Sequence, residues 1–259
     1  MPYDQLEPAL QSIERDIDGV MKSVLAALKE VKRAKSAAEL GQLRDLRHAL
    51  DEAARLAEVA AQTAATAREG WDFDDQQHFA TGAYAQEVLA RAKADGVNVY
   101  YSDDRILSYP AIVAISPSDL CVLVDKKRDR RVRPSIFVRT LKALQTRPPR
   151  FKAEAFLEAL ALAYDLVVAK SAARAGAVVK LVDVYAVLTV MPGAAREYSK
   201  QEFARDLYLL DMSGVTATRS GRAMSFAASA LTRGAGVLNT VTKTGQEKVY
   251  AGVQFAVAE

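Results

Sequence analysis

The stretch DQLEPALQSIERDIDGVMKSVLAALKEVKRAK, residues 4–35, repeats its apolar positions every seven residues. Leu6, Leu10, Ile13, Ile17, Val20, Val24, Ala27 and Val31 alternate spacings of four and three. Held for more than three heptads, that pattern predicts one long helix packed lengthwise on another. Asp4 with Glu7 makes a capping pair at its start, and Pro8 falls in the first turn, where a missing N–H costs little. A second heptad runs through Leu43, Leu46, Leu50, Ala53, Ala57, Ala60 and Ala64. Ser36 with Glu39 reads as a capping box, so the second helix is expected to begin near residue 37 and fold back as an antiparallel hairpin. Its seam passes from leucine to alanine, which lets the partner helix approach closely at one end. A helical pair this long also offers a face to another chain or to a second copy. Trp71 and Phe73 follow Gly70 and are expected to anchor the arm in the next domain.

Beyond the arm the periodicity changes. Residues 76–94 read as a helix carrying Phe79, Ala83, Val88 and Leu89 on its apolar face. Three strands follow, Val97–Tyr101, Ile106–Ile115 and Leu120–Asp125, with Ser116-Pro117-Ser118-Asp119 as a connecting turn. Pro134 and Ser135 open a further helix with Phe137, Leu141 and Leu144 inside.

Between strand and helix lies the strongest charge feature of the chain. Residues 126–152 hold eleven basic side chains against the single acid Asp129, a net of +10, while the whole chain carries +3. Ten of them are candidate nucleic-acid contacts: Lys126, Lys127, Arg128, Arg130, Arg131, Arg133, Arg139, Lys142, Arg147 and Arg150. Such a field favours an anionic partner, and duplex DNA held by its phosphates is the first candidate. The alternatives are a solvated basic surface and a dock for an acidic protein. A weaker pattern overlaps it. Asp104, Asp125 and Lys127, with Glu87 on the preceding helix, have the order of a PD-(D/E)xK nuclease, in which acids hold a metal and a lysine orients water. Strand pairing about the turn at 116–119 would put Asp125 opposite Pro110 and leave Asp104 roughly 20 Å away at about 3.3 Å per residue.

From residue 152 onward the chain reads as helices over 152–170, 179–190 and from Ser199, where Glu202 completes a capping box. Strand-like runs follow at Met224–Leu231, Val237–Thr242 and Lys248–Val257, with Thr244-Gly245 as a turn. Three helices followed by a hairpin is the order of a winged helix, and residues 152–258 resemble that superfamily. The resemblance implies that the third helix takes the position that enters the major groove. Lys200 and Arg205 on it are offset by Glu202 and Asp206, which does not suit a basic reader. Arg219, Arg222, Arg233, Lys243 and Lys248 are further basic residues around the strands.

Several classes are disfavoured. No apolar run approaches the roughly 20 residues of a membrane span, and the N-terminus lacks a signal peptide's basic start and apolar core. One cysteine, Cys121, and two histidines give neither an internal disulfide nor metal-ligand spacing, so no cofactor or metal is expected, and the cytoplasm is the expected compartment. No G-x-x-x-x-G-K-[ST], G-x-G-x-x-G, G-x-S-x-G or H-E-x-x-H motif is present. The expected fold is α+β: a coiled-coil-like helical hairpin over 1–75, a small mixed α/β domain over 76–150 and a winged-helix-like domain over 151–259. The expected function is a non-enzymatic, DNA-associated accessory subunit of a bacterial complex for chromosome maintenance or phage defence. A protein-only adaptor and a metal-dependent nuclease are the alternatives.

Overall fold

The computed structural model describes residues 4–148, 151–227 and 236–257. It is mixed α+β and divides into two compact units. Residues 1–87 with 133–135 form the first, and residues 88–132 with 136–259 form the second.

The first unit is built on two long helices, α1 (Leu6–Glu39) and α2 (Leu43–Glu69). They pair along their length through small side chains. Ala9, Ala34 and Ala37 of α1 and Ala49, Ala53, Ala60 and Ala67 of α2 are buried, and Gly19 faces the Thr63 methyl group. Alanine and glycine let two helix backbones approach more closely than leucine would. The expected seam holds only in part: Leu6, Ala53 and Ala60 are buried and Leu10, Ile13, Val20, Ala27 and Leu46 half-buried, but other positions of the heptad turn outward. Ile17, Val24 and Val31 are 49%, 50% and 52% exposed, and Leu43 and Leu50 also face outward. The reversal between the helices also differs from expectation. Ser36 does not cap a new helix; its carbonyl accepts from Leu40 N at 3.2 Å, and α1 runs on to Glu39. Gly41 takes the left-handed conformation at φ +68°, its N–H donating to Ala38 O and that of Gln42 to Ala37 O. That is a Schellman stop, which favours a glycine at the left-handed position.

The N-terminus of α1 is capped from far along the chain. Gln5 supplies no side-chain cap. Instead the Glu87 carboxylate accepts from Leu6 N and Glu7 N, each at 2.8 Å, and lies 3.0 Å from His78 Nε2. An anion against the first free N–H groups of a helix is favourable through both hydrogen bonding and the macrodipole. The expected helix over 76–94 is two helices, α3 (Asp75–Ala80) and α4 (Ala83–Ala94). Gly82 at φ +78° makes the break. Phe73 packs edge-on against His78, their centroids 5.1 Å apart, and Trp71 lies beside Ala9, Ser12 and Ile13.

The second unit opens with a five-stranded antiparallel meander. Its strands are β1 (Tyr100–Ser102), β2 (Arg105–Ser108), β3 (Ala111–Ser116), β4 (Cys121–Val124) and β5 (Lys127–Asp129). The expected strand Ile106–Ile115 is thus a hairpin, β2 and β3, turned at Tyr109–Pro110. Cys121 is a fully buried core side chain. Helix α5 (Pro134–Thr146) follows.

Four helices come next: α6 (Ala153–Lys170), α7 (Leu181–Leu188), α8 (Ala194–Glu197) and α9 (Lys200–Ser213), with the two-residue strand β6 (Val179–Lys180) before α7. Ser199 and Glu202 form the capping box that starts α9. The last strands are β7 (Arg222–Ala227), β8 (Leu238–Val241), β9 (Glu247–Tyr250) and β10 (Gly252–Val257). The expected strand Lys248–Val257 breaks at Ala251, whose carbonyl accepts from Leu181 N. Its two halves join different sheets: β9 pairs with β8, and β10 lies between β6 and β7. Leu157, Leu160, Tyr164, Leu181, Phe203, Leu207, Val253 and Phe255 fill the core between these elements. The expected strand residues 228–231 lie outside the described residues.

Candidate nucleic-acid interface

The hairpin that carries the first basic residues turns in two residues. Val124 pairs with Lys127, and the residues between them, Asp125 and Lys126, have φ +49° and +68°. A two-residue hairpin whose central residues both have positive φ suits asparagine, aspartate and glycine. Asp125 meets that demand and fastens the turn. Its N–H donates to Ile112 O at 2.8 Å, and its Oδ1 accepts from Ile112 N at 3.0 Å. Burial pushes its carboxyl upward against the opposing pull of the Ile112 N–H, Gln201 and the Lys127 charge. Lys126 has no side-chain reason to prefer this conformation, yet it stands there with its side chain in solvent.

The candidate cations divide by what they touch. Lys126, Arg130 and Arg139 are exposed and have no carboxylate partner among the described residues; Lys127 is exposed and faces the Asp125 charge. Arg128 pairs with Asp119 at 2.9 Å and Arg131 with Asp129 at 2.6 Å. The Arg131 guanidinium holds the Asp129 carboxyl below the usual range. Lys142 lies exposed on α5, with Nζ 3.4 Å from the Asp95 carbonyl. Arg147 stands 3.8 Å from Glu202. Arg133 belongs to the first unit, where Glu7 and Glu14 accept from it at 2.9 and 2.8 Å. Arg150 lies outside the described residues.

So of the ten candidates four are free cations and two, Lys142 and Arg147, are loosely held. Asp119, Asp129, Glu7 and Glu14 do the neutralising, and only Asp129 is near in sequence to the arginine it meets. The basic β5 is also the edge of its sheet. Lysine and arginine on a short edge strand discourage pairing with another sheet, which is a structural use for the same charges.

The acids of the nuclease pattern have other duties. Asp104 sits with Asp103 in the β1–β2 turn, at φ +56° and +49°, and accepts from the Tyr101 hydroxyl. Asp125 faces Ile112 rather than Pro110, because the hairpin turns one residue later than the sequence suggests. Glu87 caps α1. Among the described residues, no three His, Cys, Asp or Glu side chains gather as metal ligands do.

The third long helix of the C-terminal region, α9, has little free surface. Phe203, Ala204, Arg205, Leu207, Tyr208 and Leu210 are buried, and Gln201, Glu202, Asp206 and Leu209 are half-buried. Arg205 donates to the Arg147 carbonyl at 2.8 Å and to the Tyr109 hydroxyl at 3.2 Å. A helix covered on this many sides has no face to lay in a major groove. Other basic residues near the strands are engaged too. Arg222 makes a two-pronged pair with Asp165, and Lys248 pairs with Asp211. Lys243 is exposed at the β8–β9 turn, and Arg233 lies outside the described residues.

Among the described residues no helix is long and apolar enough to cross a membrane. Comparison with known proteins finds no matching family, no matching curated protein and no matching solved structure.

Proposed function

We propose that the chain is a non-enzymatic accessory subunit that holds a nucleic-acid backbone through the β4–β5 turn and the exposed face of α5. Lys126 carries this reading. It stands at φ +68°, where a residue other than glycine, asparagine or aspartate costs about 1–2 kcal/mol, with its ammonium group projected into solvent. A strained turn that presents a charge suits contact with an anion better than it suits stability. Lys127, Arg130 and Arg139 add three more free cations, and none is placed with a base-reading pattern, so the binding is to phosphate and indifferent to sequence. The order of α6, α7, α9 and the antiparallel β7 and β10 supports a winged-helix-like reading of residues 152–258. The burial of α9 favours a domain of that kind which packs against protein rather than reading a groove. A cytoplasmic complex acting on DNA, such as one for chromosome maintenance or phage defence, would use such a part.

The test is titration of labelled duplex DNA at several salt concentrations. Four or five neutralised phosphates give a slope of about −4 in log K against log salt. Replacing Lys126 with Gly and Lys127 and Arg130 with Ala should flatten it by up to about 3 units and weaken all sequences alike. A wild-type slope near zero, or a triple variant that binds as the wild type does, would remove the reading and leave the adaptor.

A further inference from the structure

The seam of the first unit leaves six of the larger apolar side chains of α1 exposed. Ile17, Met21, Val24, Leu25, Leu28 and Val31 are each 44% exposed or more. Their spacings of four, three, one, three and three put them within an arc of about 120° on one side of the helix. The stripe is roughly 21 Å long at about 1.5 Å per residue. Single exposed apolar residues are ordinary on a surface, but six in one continuous stripe mark an interaction face.

The charges beside the stripe say what fits it. Residues 6–20 of α1 carry four acids and one base, and residues 21–39 carry five bases and two acids, so the helix is −3 at one end and +3 at the other. Asp18 flanks the stripe near its N-terminal end, and Lys29 and Lys32 flank it near its C-terminal end; all three are exposed. Glu14, which also holds Arg133, and Lys35, which also meets Glu39, extend the pattern outward.

We infer that the stripe is the interface of a homodimer in which the α1 helices of two copies run antiparallel. With Val24 of one copy against Leu25 of the other, Met21 meets Leu28. Asp18 then falls beside Lys29 and Lys32 of the second copy, and Glu14 beside Lys35. A parallel pairing brings the two acidic ends level with each other and the two basic ends likewise, which is unfavourable at both ends of the stripe. The apolar set is close to a palindrome about residues 24 and 25, as a two-fold interface requires. This inference stands apart from the phosphate-binding reading, since none of its residues belongs to the candidate interface.

The experiment is sedimentation equilibrium and light scattering of the full chain. The expected mass is twice the 28.1 kDa of one chain. Leu25→Lys should raise the dimer dissociation constant by on the order of 100-fold. Asp18→Lys alone and Lys29→Asp with Lys32→Asp should each weaken the dimer by about tenfold or more. Mixing these two charge variants should restore a mixed dimer, and carrying all three substitutions on one chain should restore the homodimer, which only the antiparallel pairing allows. All these side chains are exposed, so circular dichroism should show wild-type helicity for each variant. A chain that is monomeric at every concentration, a dimer indifferent to Leu25→Lys, or charge variants that fail to pair when mixed while each keeps wild-type helicity would overturn the inference.

Discussion

Arg133 and Glu7 are ion-paired at 2.9 Å, so one arginine of the basic stretch is already satisfied within the first unit. Glu14 takes a second nitrogen of the same guanidinium at 2.8 Å. Glu7 also accepts from Ser135 N at 2.8 Å and from the Ser135 hydroxyl at 2.9 Å. Pro134 has no N–H, so the Ser135 amide is the first donor at the start of α5, and Glu7 caps it.

Arg133 should therefore behave differently from its basic neighbours. Arg133→Ala should leave the salt dependence of DNA binding unchanged to within about half a unit of slope, because it removes no free phosphate contact. It should lower the stability of the first unit by about 1–3 kcal/mol, since Glu7 loses its charged donor. Trp71, the only tryptophan, lies in that unit, so denaturant unfolding followed by its fluorescence reads the change. A variant with full stability and a flatter salt slope would show the ion pair to be incidental.

Glu7 also gives the first unit a sensitivity to acid. Burial works against its ionisation, yet the Ser135 N–H and the Arg133 guanidinium prevail and hold its carboxyl below the usual range. A carboxyl depressed in the folded state contributes stability that is complete above its unfolded value and is lost as pH falls through the folded value. Tryptophan fluorescence should report weakening below the ordinary carboxylate range. Glu7→Gln should be less stable at neutral pH and lose less on acidification. Parallel acid profiles for the two proteins would count against this assignment.

Much of the architecture was legible from local chemistry, and the misreadings have definite causes. Ser199 and Glu202 cap α9 as their spacing implies. Ser36 and Glu39 have the same spacing and do not, because the alanines around them favour continued helix and Gly41 stops it five residues beyond Ser36. The heptad was real, but heptad reading assigns the largest apolar side chains to the seam. In this hairpin alanines close much of it, and Val24, Leu25, Leu28, Val31, Leu43 and Leu50 face outward. Periodicity shows that a stripe exists and is silent on what covers it. The basic stretch was legible as charge. Its neutralisation was not, since Arg128 and Arg133 find their acids through a hairpin and through tertiary packing.

The strained turn separates stability from binding at a single residue. Lys126→Gly should relieve the left-handed conformation, a gain of about 1–2 kcal/mol, against about 0.5–1 kcal/mol of added chain entropy in the unfolded state. The net expectation is a protein more stable by up to about 1 kcal/mol, with a salt slope shallower by about 0.9. Thermal melting and duplex titration on the same sample check both. A variant that binds with an unchanged slope would show that Lys126 does not touch phosphate.

The alanine-lined seam predicts opposite outcomes for two substitutions that a heptad reading would rank the other way. Ile17→Asp with Val24→Asp places charges at positions about half exposed, so the helical content of the isolated chain should be unchanged. Ala49→Leu places a large side chain where alanine is fully buried between α1 and α2. The helices can accommodate it only by moving apart, and overpacking of that kind costs about 1–3 kcal/mol. Far-UV circular dichroism during thermal melting, at concentrations low enough that self-association does not contribute, distinguishes the two. Loss of helix from the aspartate pair with retention in Ala49→Leu would restore the leucine and valine face as the seam.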